Sequence, residues 1–304
     1  MFAGIAGSGR DFRCAIGTGP EDVRAEAVFD TTTPDETLGR VTGFLRAEQE
    51  RYGPVTAVGI GCFGPLDLRL ESATYGRVGS VLKPGWPGFD LVGAVWREFP
   101  VPIALDTDVN AGALAEREAG GGGGDLVFVI VTGGIGAGVL TGKRVVHGRA
   151  HPELGHLPVA RHPSDDLPGH CPYHPDCLES LASRRALVAR TGAEGWPGAV
   201  AEDWPGAVAE EVVELEAWYL AQLTTALTYA VSPERIVFDG DVMTLPGLLP
   251  ALREATVRRL GDDPAVAGVR EGMDTYVVRS TLEGRAVLRG ALLLASHVAP
   301  PPNK

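Results

Sequence analysis

Residues 101–116 read VPIALDTDVNAGALAE. An apolar strand over Pro102–Asp106 runs into a helix from about Val109 to Arg117, and Asp106 and Asp108 fall at the junction. In open α/β folds, ligands collect outside the carboxyl ends of strands. A carboxylate placed there can take a proton from a substrate hydroxyl. It can equally be the N-cap of the helix that follows, and spacing alone leaves both readings open.

On either side of this junction, strand and helix signals alternate, the pattern of an α/β protein. Phe2–Ile5 and Phe12–Ile16 read as strands around a Gly-Ser-Gly turn, Val55–Gly61 and Leu126–Val131 as buried strands, and Arg235–Phe238 and Thr275–Val278 as later ones. Pro34–Tyr52 carries Leu38, Val41, Phe44 and Leu45 at helical spacing, with Thr33 as expected N-cap and Pro34 as first helical residue. Further helices are expected over Leu91–Phe99, Leu178–Arg190, Val212–Val231, Leu248–Leu260 and Ala286–Val298, the last closing the chain before a frayed tail. Five consecutive glycines, Gly120–Gly124, mark a flexible joint and an expected domain boundary. WPGAVAE occurs at 196–202 and again at 204–210; a period of eight is too short for a solenoid and reads as a local duplication.

The chain has 304 residues, long enough for two domains and a core that needs no disulfides. Its formal charge of −12 argues against nucleic acid or an anionic membrane as main partner, since both require a positive face. No apolar run reaches the ~18 residues of a membrane span, and the N-terminus does not read as a secretory leader. Cys14, Cys62, Cys171 and Cys177 are too scattered for a disulfide framework. A cytoplasmic protein is expected.

His156, Cys171, His174 and Cys177 stand in the pattern H-x14-C-x2-H-x2-C. Thiolate and imidazole are preferred zinc ligands, and four of them complete a tetrahedral structural site with no open position for catalysis. Such an ion would pin the irregular segment 161–177, which has little apolar content of its own. His162 and His170 lie close by and offer alternative first ligands. Three glycine-rich turns, Gly4–Gly9, Gly133–Gly138 and Asp239-Gly240-Asp241, can aim backbone N–H groups at phosphates or serve as plain hairpins.

Taken in order, these pieces resemble the ROK sugar-kinase family, and within it the bacterial fructokinases. The stretches that carry the resemblance are GIGCFGPLDLRLESATYGRV (59–78), LKPGWPGFDLVGAV (82–95), VPIALDTDVNAGALAE, HPELGH (151–156), RHPSDDLPGHCPYHPDCLESLAS (161–183) and SPERIVFDGDVM (232–243). The resemblance implies an actin/hexokinase-like, ribonuclease-H-type fold with a central cleft. Residues 1–119, completed by the C-terminal helix 286–304, would form one α/β domain, and 120–285 a larger one carrying the zinc loop. It also implies a homodimer and a sugar or sugar-like substrate. Asp108 would be the base for the sugar hydroxyl. Asp106, Asn110, Glu153, His156 and Glu179 would lie at or near the sugar, with Gly64, Pro65 and Lys83 shaping that side of the cleft. His156 would touch both the zinc ion and the sugar pocket. The repressor branch carries an added DNA-binding domain; with a first strand at residue 2, none is expected here.

The nucleotide side departs from the family pattern. Where the first phosphate motif reads Asp/Glu-x-Gly-Gly-Thr-Lys, this chain has Ala6, Gly7, Ser8, Gly9, Arg10 and Asp11. The second motif, Gly-Thr-Gly-Ile-Gly, is Thr132-Gly133-Gly134-Ile135-Gly136, and the third, Gly-Gly-Gly-Val, is Asp239-Gly240-Asp241-Val242. The last glycine-rich stretch is the bulkier Leu282-Glu283-Gly284-Arg285-Ala286. A bare carboxylate ~4 Å from a phosphate opposes binding by about 4 kcal/mol per charge pair at an effective dielectric near 20. The leading expectation is therefore an enzyme that keeps the sugar pocket and Asp108 but has lost or weakened ATP use. The first alternative is an active fructokinase using Mg2+ and ATP, and the second a non-catalytic sugar-binding protein.

Overall fold

A computed structural model describes residues 1–192 and 210–300. Two five-stranded sheets are built on one plan. In the first, β1 (Phe2–Gly7), β2 (Asp11–Gly19) and β3 (Asp22–Asp30) form an antiparallel meander, and β4 (Ala57–Cys62) and β5 (Ile103–Thr107) add in parallel beside β1, giving the order β3-β2-β1-β4-β5. In the second, β6 (Leu126–Val131), β7 (Ile135–Thr141) and β8 (Arg144–Val145) form the meander, and β9 (Arg235–Asp239) and β10 (Val277–Arg279) follow in parallel, giving β10-β9-β6-β7-β8.

Parallel neighbours require crossovers, and helices supply them. In the first half these are α1 (Pro34–Tyr52) and α2 (Leu91–Glu98). In the second they are α4 (Leu178–Ala182), α5 (Arg184–Thr191) and α6 (Glu210–Ala230), then α7 (Leu248–Leu260), α8 (Ala267–Glu271) and α9 (Met273–Tyr276). Two further helices, α3 (Asp108–Ala119) and α10 (Ala286–Val298), pack on each other. α3 also packs on β6 and β7, and α10 on β1 and β4. The fit is close enough to demand glycine: a Cβ on Gly59 would lie 1.8 Å from the Ala291 carbonyl oxygen, and one on Gly138 2.2 Å from that of Val109.

Register brings the carboxyl ends of the strands into line. Gly7 pairs with Cys62 and Cys62 with Thr107, while Ile130 pairs with Asp239 and Phe238 with Arg279. Beneath the first of these rims, Phe12 stacks on the fully buried Trp86 with ring centroids 5.3 Å apart, and Phe63 meets Trp86 edge-on at 5.1 Å. Trp86 Nε1 donates to the Thr32 carbonyl at 2.8 Å, which pins the loop that carries Lys83.

Four local expectations need correction. β3 was not expected; its mixed DVRAEAVFD pattern conceals an edge strand paired on one side only. The single helix over Leu178–Arg190 is two, because Ser183 is extended (ψ 166°) between α4 and α5. The strand expected from Thr275 begins at Val277, after the helical turn α9. Thr33 occupies the N-cap position of α1 without a capping bond; instead Thr37 Oγ1 accepts from the Thr32 N–H at 2.9 Å. The two WPGAVAE copies lie outside the described residues except for Glu210. Among the described residues no helix is long and apolar enough to cross a membrane.

Candidate functional site

Thr107 ends β5 and caps α3: its Oγ1 accepts from the Asn110 N–H at 3.2 Å. The N-cap position is thereby filled by threonine, which leaves Asp108 free for other work as the first helical residue. Asp108 Oδ1 accepts from the Val109 N–H at 2.8 Å. Burial pushes its carboxyl up to about 6; the Val109 N–H opposes the rise and the charge of Glu153 adds to it. A partly buried carboxylate with that affinity for a proton is suited to accept one near neutral pH.

Asp106 is buried one residue earlier on the strand and gathers two donors. Asn110 Nδ2 donates to its Oδ1 at 2.7 Å, and His147 Nε2 lies 3.1 Å from the same oxygen. The Asp106 carboxylate raises the proton affinity of His147. Asn110 Oδ1 is buried and has no partner among the described residues, a free acceptor at the mouth of the β5–α3 junction. Next to this group, His151 Nε2 accepts from the Leu66 N–H at 3.1 Å, so the neutral ring carries its proton on Nδ1, 3.5 Å from Glu153 Oε1. Burial lowers the proton affinity of His151 and keeps it neutral. A Cβ on Gly64 would lie 2.7 Å from the His151 ring, and the Gly64–Pro65 peptide is cis. Gly64, Pro65, Asp106, Asp108, Asn110 and Glu153 thus share one region. His147 and His151 belong to it and were not singled out from the sequence. The signal was there in three histidines at 147, 151 and 156 leading into and through HPELGH.

His156, Cys171, His174 and Cys177 converge, with all four donor atoms within 4.8 Å of one another. His156 Nδ1 lies 3.7 Å from Cys171 Sγ and 3.8 Å from Cys177 Sγ, and His174 Nδ1 lies 3.9 Å from Cys171 Sγ. Tetrahedral zinc with bonds of ~2.0 Å to nitrogen and ~2.3 Å to sulfur would set such donors about 3.5 Å apart, so the set fits zinc. His162 turns away: its Nδ1 lies 2.8 Å from Ser164 Oγ and its ring packs edge-on to Trp218. The loop is also anchored from behind, where the buried Asp165 accepts from Tyr219 Oη at 2.6 Å and pairs with Arg190 at 2.8 Å.

The three glycine turns carry charge that the sequence did not reveal. At the first, the Ser8 hydroxyl donates to Asp11 Oδ1 at 3.1 Å, which folds Asp11 into its own turn. Lys83, expected on the sugar side, reaches this turn and donates to the Gly9 carbonyl at 2.5 Å. At the second, Ile135 N–H donates to Glu179 Oε2 at 3.0 Å, so Glu179 closes the β6–β7 hairpin beside Gly134. At the third, Asp241 forms an ion pair with Arg184, whose guanidinium also lies 3.1 Å from where a Cβ on Gly133 would be. Burial raises the proton affinity of Asp239, countered by the charges of Arg279 and Arg13. Gly240 has φ +106°, and a Cβ there would meet the Val131 carbonyl oxygen at 2.1 Å, which is why one glycine of this motif is kept between two aspartates.

Two repeated sheets, a carboxylate at the β5–α3 junction and a Cys/His loop together point to one family, and residues 2–298 match it. The chain belongs to the ROK family. It is 40% identical over 301 residues to a fructokinase of Zymomonas mobilis, covering 97% of this chain and 96% of that one. It is 33% identical over 302 residues to a fructokinase of Streptococcus mutans, covering 98% of each. Among solved structures, a ROK hexokinase from Thermus thermophilus superposes with a TM-score of 0.75 at 27% identity, covering 97% of this chain and 98% of that one. The fold is the actin/hexokinase-like fold of ROK kinases, and both of the near-full-length sequence relatives are fructokinases.

Proposed function

We propose that this ROK protein transfers the γ-phosphoryl group of ATP to a hydroxyl of a hexose, with fructose as the first substrate to test. Asp108 is the catalytic base. The observation that carries the reading is the state of Asp108: it follows the last residue of β5, is relieved of capping duty by Thr107, and has its proton affinity raised to about 6. The names of the full-length relatives supply the sugar.

In this reaction the sugar oxygen attacks the γ-phosphorus, the bond to the β,γ-bridging oxygen breaks, and ADP leaves. The hydroxyl proton passes to Asp108. Asn110 Oδ1 offers an acceptor to the sugar, and the Asp106–His147 pair holds Asn110 in place. Mg2+ arriving with ATP would neutralise charge on the β- and γ-oxygens. Zinc in the Cys/His set would fix His156 and the loop 161–177 and would take no part in the chemistry. The two sheets serve as two lobes that close on the sugar, and a homodimer is the assembly we expect.

A second reading, sugar chemistry without ATP, is favoured by one observation, the acidic first turn with Asp11 in place of a basic residue. Its weight falls because Asp241, the carboxylate of the third turn, is paired with Arg184 and is not bare. A coupled assay for ADP release with ATP and fructose tests the choice. Turnover that depends on both substrates supports the kinase, and fructose binding without ATP turnover supports the second reading.

A further inference from the structure

We propose that Lys83, Arg184 and Arg185 form a cationic clamp that holds the phosphate chain of the donor. The inference rests on the kinase reading and adds the residues that bind the donor. Lys83 comes from the loop pinned by Trp86 and sits on the first turn, its ammonium 2.5 Å from the Gly9 oxygen and 3.2 Å from where a Cβ on Gly9 would be. It also lies over the Phe63 ring at 5.3 Å. Arg184 sits between the second and third turns. Its N–H donates to the Thr132 carbonyl at 2.8 Å, and its side chain lies between Gly133 and Asp241.

Arg185 follows immediately. It is exposed and makes no hydrogen bond or ion pair among the described residues. Its charge nonetheless reaches Lys83: burial first, and then Arg185, lower the proton affinity of the Lys83 ammonium. Two cations that disfavour each other are a poor arrangement for an empty site and a good one for a polyanion. Ser183 Oγ, just before Arg184, is buried and has no partner among the described residues. On a chain of net charge −12, a local group of cations is also what would draw an anionic donor into the cleft. All three glycine turns are thus reached by this group: the first by Lys83, the second and third by Arg184.

The test is steady-state kinetics with the zinc-loaded protein, varying Mg–ATP at saturating fructose and then the reverse. R185A and K83M are each expected to raise the ATP KM about tenfold or more, the loss of one charge-assisted phosphate contact, while the fructose KM moves less than about threefold. R185K should recover part of the ATP KM. An ATP KM unchanged in both R185A and K83M, in a protein that phosphorylates fructose, overturns the clamp and leaves the kinase reading standing. If the unaltered protein shows no turnover, calorimetric titration with Mg–ATP separates the two ideas. Binding that R185A abolishes keeps the clamp and sinks the kinase reading; no binding sinks both.

Discussion

Arg184, the first residue of α5, forms an ion pair with Asp241, the residue that follows the left-handed Gly240 just beyond the end of β9. The two are 57 positions apart in sequence and join the start of α5, just after the Cys/His cluster, to the turn that follows β9. The pairing changes the charge arithmetic of the site. Asp241 read alone opposes a triphosphate; Asp241 read with Arg184 is close to neutral, and Arg184 becomes a cation held in reserve.

Loosening that pair should therefore strengthen donor binding. D241N removes one negative charge and releases Arg184, and a drop in the ATP KM of about three- to tenfold is expected, at a cost in melting temperature. Kinetics and a thermal melt on the same preparation check it. A raised ATP KM would mean that Asp241 positions Arg184 rather than restraining it.

With Asp108 as the base we propose, its titration sets the acid limb of the pH profile. As the base it must be ionised, so kcat/KM should fall as pH drops through about 6. The same shift makes a statement about stability. The folded-state value lies above the ordinary 3.8, so the stability it contributes is present below 3.8 and lost as pH rises through about 6. At neutral pH the ionised, partly buried carboxylate is a net cost. D108N should abolish turnover, by about 10³-fold or more, and raise stability at pH 7.5 by about 2 kcal/mol. Denaturant melts at pH 7.5 and pH 4 check the sign, because the gain should shrink at the lower pH.

His147 is raised as well, here by a hydrogen bond to Asp106, and its linkage runs in the same direction. The carboxylate raises the histidine, so its contribution is fully present below the ordinary value of 6.5 and is lost as pH rises through the folded value. H147A should raise the fructose KM severalfold by loosening Asn110, with the ATP KM nearly unchanged. An equal change in both constants would place His147 elsewhere in the mechanism.

The Cys/His cluster predicts one zinc ion per chain. C171S should lose the ion by elemental analysis and lower the melting temperature, because segment 161–177 has few apolar anchors beyond Asp165 and Tyr219. Chelation of the unaltered protein should reproduce the loss. Full zinc content in C171S would remove Cys171 from the ligand set.

Much of this was legible in the sequence where the signal is local. Apolar spacing located Pro34–Tyr52, Leu126–Val131, Leu248–Leu260 and Ala286–Val298 to the residue. The four cluster residues were legible because three of them sit within seven positions of one another. What was hidden is long-range. Lys83 reaches Gly9 across 74 positions and Arg184 reaches Asp241 across 57, and no local pattern encodes either contact. The first turn therefore read without Lys83 and the third as bare carboxylate. The edge strand Asp22–Asp30 was hidden for a different reason: with one paired edge and mixed exposure, it lacks the clean alternation by which strands are found.

The measurement that bears most directly on the central claim is phosphorus NMR of the zinc-loaded protein mixed with Mg–ATP and fructose. The account predicts a sugar-phosphate resonance that grows as ATP falls and ADP rises, and that is missing with D108N. ATP left intact over hours, in protein shown to be folded and to bind fructose, would contradict it.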